Sequence, residues 1–278
     1  MRRIVCSVLA IFALVFAQTA FAVPPLKLGI MPFNSALALI KTHQPLRLAL
    51  ERRLGRPIEV FTEADYTAFV NESLAGRYDL LITGPHFAVM SIEKGYVPLV
   101  HYKAPLQPVF VVRSASDITS AETLKGRSVA LSSRFSISSI GGMKWLADKG
   151  MLPGRDYQVR EYPTHGAAVA AVAVGEADAA LTTHTPLKQV PKDISERVRL
   201  LPSDIRIPHL MTLAHERLGK AEVELVRQAL AEFAASEEGM QFFRETGYQG
   251  YDNVTEADIR ALLPYVSLVR QQMNLGAH

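Results

Sequence analysis

The chain has 278 residues, 49% of them hydrophobic, with 30 Lys and Arg against 27 Asp and Glu and a formal net charge of +3. A balance this close, with no block of five or six like charges, leaves no electrostatic footprint for nucleic acid. The one cysteine, Cys6, stands in the N-terminal apolar stretch, so neither a disulfide framework nor thiol chemistry is expected of the rest.

Residues 1–22 read as a secretory signal peptide. Arg2 and Arg3 form a positive start, residues 4–16 are almost unbroken apolar, and Ala20-Phe21-Ala22 puts small residues at a cleavage site. The stretch is shorter than the roughly 20 residues of a membrane-spanning helix, and Pro24 and Pro25 follow at once. Cys6 lies too early to be a lipidation site at the cut. The expectation is cleavage after Ala22 and a free, soluble mature chain in the periplasm. No later segment reads as a span: the longest run poor in charge, near 165–187, is broken by Gly175, Glu176 and Asp178.

The mature chain alternates β-like runs with helical patterns. A strand is expected at 26–31, then a helix at 35–54 with apolar Leu37, Leu39, Ile40, Leu46, Leu50 and Leu54, interrupted or split by Pro45. Strands follow at 58–61 and 79–82, separated by a helix at 64–74; a helix at 85–94 leads to strands at 97–102 and 109–112. Glu63 and Asp65 read as a turn and N-cap, not as a catalytic pair. The next strands are at 128–131, 156–162 and 177–181, with helices at 137–149 and 165–174 between them. Gly141-Gly142 suggests close packing and Trp145 a core position. Strands at 198–201 and 210–214 precede about 60 residues read as helical, with breaks near Gly219, Gly247 and Gly250.

This alternation predicts α/β lobes with mixed central sheets. Proline pairs at Pro105 and Pro108 and at Pro202 and Pro208 bracket an inserted lobe. Residues 23–108 with 206–278 are expected to form lobe 1 and 109–205 lobe 2, joined by a two-strand hinge.

Four helix starts follow apolar strands: Thr83-Gly84-Pro85-His86, the run from Ser132 to Ser139, Thr164-His165-Gly166, and Thr183-His184-Thr185-Pro186. Such turns lie at the carboxyl edge of an α/β sheet, where ligands bind, and free N–H groups at a helix start favour an anion. Taken singly, each also reads as an ordinary N-cap. The five serines of the second start exceed what one cap needs, so Ser136, Ser138 and Ser139 are candidate donors. His86, His165 and His184 each lie within a turn of a start, but none pairs with another at metal-ligand spacing. There is no nucleophile elbow, Walker loop or dinucleotide fingerprint; neither catalysis nor a cofactor is expected.

Ala64-Asp65-Tyr66, Gly76-Arg77-Tyr78-Asp79-Leu80, Thr83-Gly84-Pro85, Leu124-Lys125-Gly126-Arg127-Ser128-Val129-Ala130, Ser136-Ile137-Ser138-Ser139, His165 and Val174-Gly175-Glu176-Ala177-Asp178-Ala179 occur in an order that resembles the periplasmic phosphate, phosphite and phosphonate solute-binding proteins (PhnD-like) of ABC transporters. The resemblance spans roughly residues 26–245. It implies the type II periplasmic binding protein fold, two Rossmann-like lobes closing on a ligand, and capture of a small oxyanion for an ABC importer. The alternative on the same fold is a sensing subunit for a membrane histidine kinase; a periplasmic enzyme is third. The implied ligand set is Tyr66, Gly84, His86, Phe87, Ser136, Ile137, Ser138, Ser139, His165, Thr183 and His184. Ile137 replaces the family's threonine, Phe87 lacks a tyrosine hydroxyl, Gly166 replaces the acidic residue beside the histidine, and neither Thr183 nor His184 is the carboxylate that serves an amino group in aminophosphonate binders.

Overall fold

The structure is a computed structural model that describes residues 23–183 and 190–274; the expected signal peptide lies outside the described residues. The chain opens with β1 (Leu26–Ile30), buried at four of five positions, as suits a strand covered on both faces. In α1 (Ala36–Leu54), Ser35 accepts from Ala38 N–H and Gly55 closes the helix at φ 59°, left-handed backbone that favours glycine. Its buried face is Leu39, His43, Leu46 and Leu50, spaced at the helical period. Leu37 and Ile40, expected on that face, are exposed. Pro45 neither interrupts nor splits the helix. The buried face continues on both sides of it, and packing of this kind outweighs an interior proline's cost of roughly 3 kcal/mol.

Then come β2 (Ile58–Phe61), α2 (Tyr66–Leu74), β3 (Leu80–Thr83), α3 (Pro85–Ile92) and β4 (Tyr96–Tyr102). Asp65 caps α2 by accepting from Ala68 N–H. The chain crosses to β5 (Pro108–Arg113), β6 (Ser128–Leu131), α4 (Ile137–Asp148), β7 (Gln158–Glu161), α5 (His165–Val174), β8 (Ala179–Thr183), α6 (Lys192–Ser195) and β9 (Val198–Pro202). It returns as β10 (Met211–His215), α7 (Lys220–Ala235), α8 (Glu237–Thr246), β11 (Tyr251–Asn253) and α9 (Glu256–Gln272). The three-residue β11 directly follows the break expected near Gly247 and Gly250, where no strand is expected. It pairs antiparallel with β4, and Tyr251 stacks on Tyr102 with ring centroids 5.3 Å apart.

Two mixed sheets result, ordered β11-β4-β10-β3-β1-β2 and β7-β6-β8-β5-β9. β1 pairs in parallel with β2 and β3, and β6 with β7 and β8. The antiparallel strand beside each parallel trio, β10 or β5, is the first strand after a crossing. Between lobes, Leu106 and Ile207 exchange N–H···O bonds of 2.9 and 3.0 Å, so the two connecting segments form a paired hinge. These are the two lobes and hinge of a type II periplasmic binding protein.

The larger core spans the first sheet and α1, α3, α7, α8 and α9. The second sheet is covered on both faces: Phe110 and Val112 face one cluster with Leu146 of α4, and Val111 faces another with Val169 and Val172 of α5. This is the two-residue alternation of a strand. Gly142 lets α4 settle on β8, since a Cβ there would meet Leu181 Cδ1 at 2.5 Å. Trp145 is only half-buried at the edge of that core, with Lys149 Nζ 4.9 Å from its ring centroid. Among the described residues no helix is long and apolar enough to cross a membrane.

Candidate functional site

The helix starts that follow the parallel strands of both lobes meet between the lobes. Tyr66 at the start of α2, Ser136, Ile137 and Ser138 at the start of α4, His165 at the start of α5 and Thr183 at the end of β8 line one cavity. Met31 and Phe33 after β1, Leu106, His209 and Leu210 from the hinge segments and Tyr248 beyond α8 complete it. The open space is about 30 Å³, on the scale of a water or a small ion. No Lys, Arg, Asp or Glu among the described residues lines it.

The serine run divides its work. Ser136 caps α4: its Oγ accepts from Ser139 N–H at 3.2 Å and lies 2.7 Å from Ser139 Oγ and 3.1 Å from both Ser133 O and Ser138 Oγ. A hydroxyl has one proton, so Ser136 is committed within the protein. Ser139 is fully buried against that cap, and Ser138 is the serine whose hydroxyl borders both the cap and the cavity. Thr164 caps α5 by accepting from Ala167 N–H. Both caps are neutral, so the partial positive charge of these two helix starts remains available to an anion. Asp65 already places a carboxylate on the start of α2.

His165 is buried, with Nε2 3.3 Å from Ser132 Oγ and Nδ1 without a partner among the described residues. Burial lowers its pKa to about 4, so the ring is neutral. The Tyr66 hydroxyl, from the opposite lobe, is buried without a well-formed hydrogen bond. Burial pushes its pKa up, and nearby Ser132 offsets part of that rise; the phenol stays protonated and able to donate.

The remaining expected residues stand behind this surface. His86 is fully buried, and its Nε2–H donates to Phe135 O at 2.8 Å, a bond from lobe 1 to lobe 2. A carbonyl only accepts, so the proton sits on Nε2 and Nδ1 is left a buried acceptor without a partner among the described residues. Desolvation lowers this pKa also, to about 4. Phe87 lies in the core, its ring centroid 3.9 Å from that of His86. Gly84 caps α3, where a Cβ would meet His86 Cε1 at 3.0 Å and Met31 Sδ at 3.4 Å. His184 and the helix start around it lie outside the described residues.

Six lining residues carried no functional signal in the sequence. Leu106, His209 and Leu210 belong to segments recognisable as hinge from their prolines, but nothing local says which way those side chains face. Met31 reads as the end of a strand, and Phe33 falls between that strand and the next helix. Tyr248 follows Gly247, the C-cap of α8, and joins the site only because α8 folds back on lobe 1.

A family model described as the periplasmic substrate-binding protein of phosphonate ABC transporters matches residues 28–259. The chain belongs to this family. As a periplasmic phosphonate-type substrate-binding protein it serves an ABC transporter, and its family is one of binding proteins, not of enzymes. Its fold matches PhnD1 from Prochlorococcus marinus (MIT 9301), solved in complex with methylphosphonate, at a TM-score of 0.74 and 17% identity over 90% of this chain and 98% of that one. A binding protein component of an ABC phosphonate transporter from Pseudomonas aeruginosa matches at 0.75 and 13%, over 90% and 98%. The alkanesulfonate-binding protein SsuA from Xanthomonas axonopodis pv. citri, bound to MOPS, matches at 0.64 and 18%, over 93% and 96%. At these identities what is shared is the fold of this substrate-binding family.

Proposed function

We propose that the chain captures a small phosphorus oxyanion (a phosphonate, phosphite or phosphate) between its lobes and delivers it to an ABC permease. One observation carries this reading. Two residues from opposite lobes, Tyr66 and His165, line one cavity, and the Tyr66 hydroxyl and His165 Nδ1 are buried without partners of good geometry among the described residues. Leaving a buried polar group unpaired costs about 1–3 kcal/mol, and a ligand reaching both lobes relieves both. The Ser138 hydroxyl and the starts of α4 and α5 supply further donors, all neutral, and Thr183 lines the cavity beside them. We assign hydrogen bonds to the ligand to Tyr66, Ser138 and His165 and packing contact to Ser136, Ile137 and Thr183, with Gly84, His86, Phe87 and Ser139 supporting them from behind.

The site binds without turning its ligand over. Ser132 and His165 form a serine–histidine contact, but no third group orients Nδ1 among the described residues, as a hydrolytic triad requires. The moving bodies are residues 23–108 with 206–278 and residues 109–205, divided at the paired hinge. Export ends in cleavage after Ala22. The sensor alternative gains nothing from a family match to a transporter component.

Thermal denaturation with methylphosphonate, phosphite, phosphate and sulfate tests the reading. Ligand at 100 times Kd adds roughly 2.7 kcal/mol of stability, so at least one phosphorus oxyanion raises the Tm, and Ser138→Ala and His165→Ala each reduce the rise. A Tm unmoved by all four ions overturns it.

A further inference from the structure

His165 has a partner on one side only. Its Nε2 faces Ser132 Oγ and its Nδ1 is buried without a partner among the described residues; Ser132 also neighbours the Tyr66 hydroxyl and has one proton to give. Ser132 follows β6 directly, is itself 7% exposed, and does not line the cavity. A neutral imidazole carries one proton, so a hydroxyl that donates to one nitrogen leaves the ring proton on the other, and one that accepts does the reverse. An ionised oxygen accepts hydrogen bonds. A bare Nδ1 would set lone pair against lone pair, whereas Nδ1–H would bind. The ring's depressed pKa keeps it neutral, so the choice between tautomers is real at working pH.

We propose that Ser132 is a positioning residue: its hydroxyl donates to His165 Nε2 and thereby holds the ring proton on Nδ1, ready for an oxygen of the bound anion. The proposal rests on the oxyanion reading of the cleft. It assigns Ser132 an effect on affinity without contact with the ligand, and it makes one serine of the run responsible for the polarity of a histidine 33 residues away in the chain.

The ¹⁵N spectrum of the histidine rings in the ligand-free protein at pH 7 tests it first. The expected result is His165 protonated on Nδ1; protonation on Nε2 overturns the proposal. Calorimetric titration with methylphosphonate and inorganic phosphate follows. S132A is expected to bind the better of the two at least tenfold more weakly and to shift His165 toward the Nε2–H tautomer. S132T keeps the hydroxyl and is expected to restore both. Wild-type affinity with an unchanged tautomer in S132A overturns the proposal. If S132A does not fold, the wild-type tautomer and S132T decide. Should the wild type bind neither ion, the oxyanion reading falls, while the ligand-free tautomer still judges Ser132.

Discussion

Tyr66 joins a structural ring to a hydroxyl that we propose binds the ligand. Its ring packs against Phe87 with centroids 6.4 Å apart, and only its hydroxyl is unsatisfied. Tyr66→Phe keeps the first and removes the second. The ligand-free Tm should hold or rise slightly, because an unpaired buried hydroxyl disappears. Affinity for methylphosphonate should fall about tenfold or more, since a hydrogen bond to a charged group is worth about 1.5–3 kcal/mol. Calorimetric titration reads this, and equal affinity in the variant would remove Tyr66 from the site. Serine chemistry in the Ser132–Ser139 run was visible in the sequence as an excess over one cap. The division among cap, cavity and histidine partner was not, because it depends on how the run turns over the end of β6.

At the scale of elements, α1 carries a group that sequence periodicity assigns to no role. His43 occupies the buried face between Leu39 and Leu46, with Nδ1 2.9 Å from Leu39 O and Phe33 and Phe242 on either side. Burial lowers its pKa from 6.5 to about 4, as it does for His86 and His165. The folded value lies below the unfolded one, so below pH 6.5 the unfolded chain takes up more protons. The stability these rings contribute is present above pH 6.5 and is lost as pH falls toward 4. The urea midpoint should therefore drop steeply over that interval. His43→Leu should flatten the dependence by roughly 3 kcal/mol, from about 1.36 kcal/mol per pH unit of difference. An unchanged slope in the variant would show that His43 opens to water before it titrates.

For the whole molecule, the His86–Phe135 bond joins the lobes through a side chain. A net hydrogen bond of about 1 kcal/mol biases closure about fivefold. His86→Phe keeps an aromatic ring beside Phe87 and loses the bond. The ligand-free variant should show a larger radius of gyration by small-angle scattering, and ligand should dissociate several-fold faster, because binding must then supply the closure. An unchanged radius and dissociation rate would show that the hinge, not this bond, sets the closed state.

Order and local form were determined by the sequence itself. Strand and helix alternation, the Ser35, Asp65, Ser136 and Thr164 caps and the paired prolines of the hinge all act within a few residues, through periodicity, capping and the fixed backbone of proline. Tertiary structure alone decided the burial of His43 in place of Leu37 and Ile40, the survival of α1 through Pro45, the added strand β11, and the arrival of His209 and Tyr248 at the cavity. It also decided that His86 spans the lobes while His165 lines the cavity. Those outcomes turn on which distant segments meet. The free energy of burying a side chain, or of leaving its polar atom unpaired, is set by neighbours that the chain brings together only on folding.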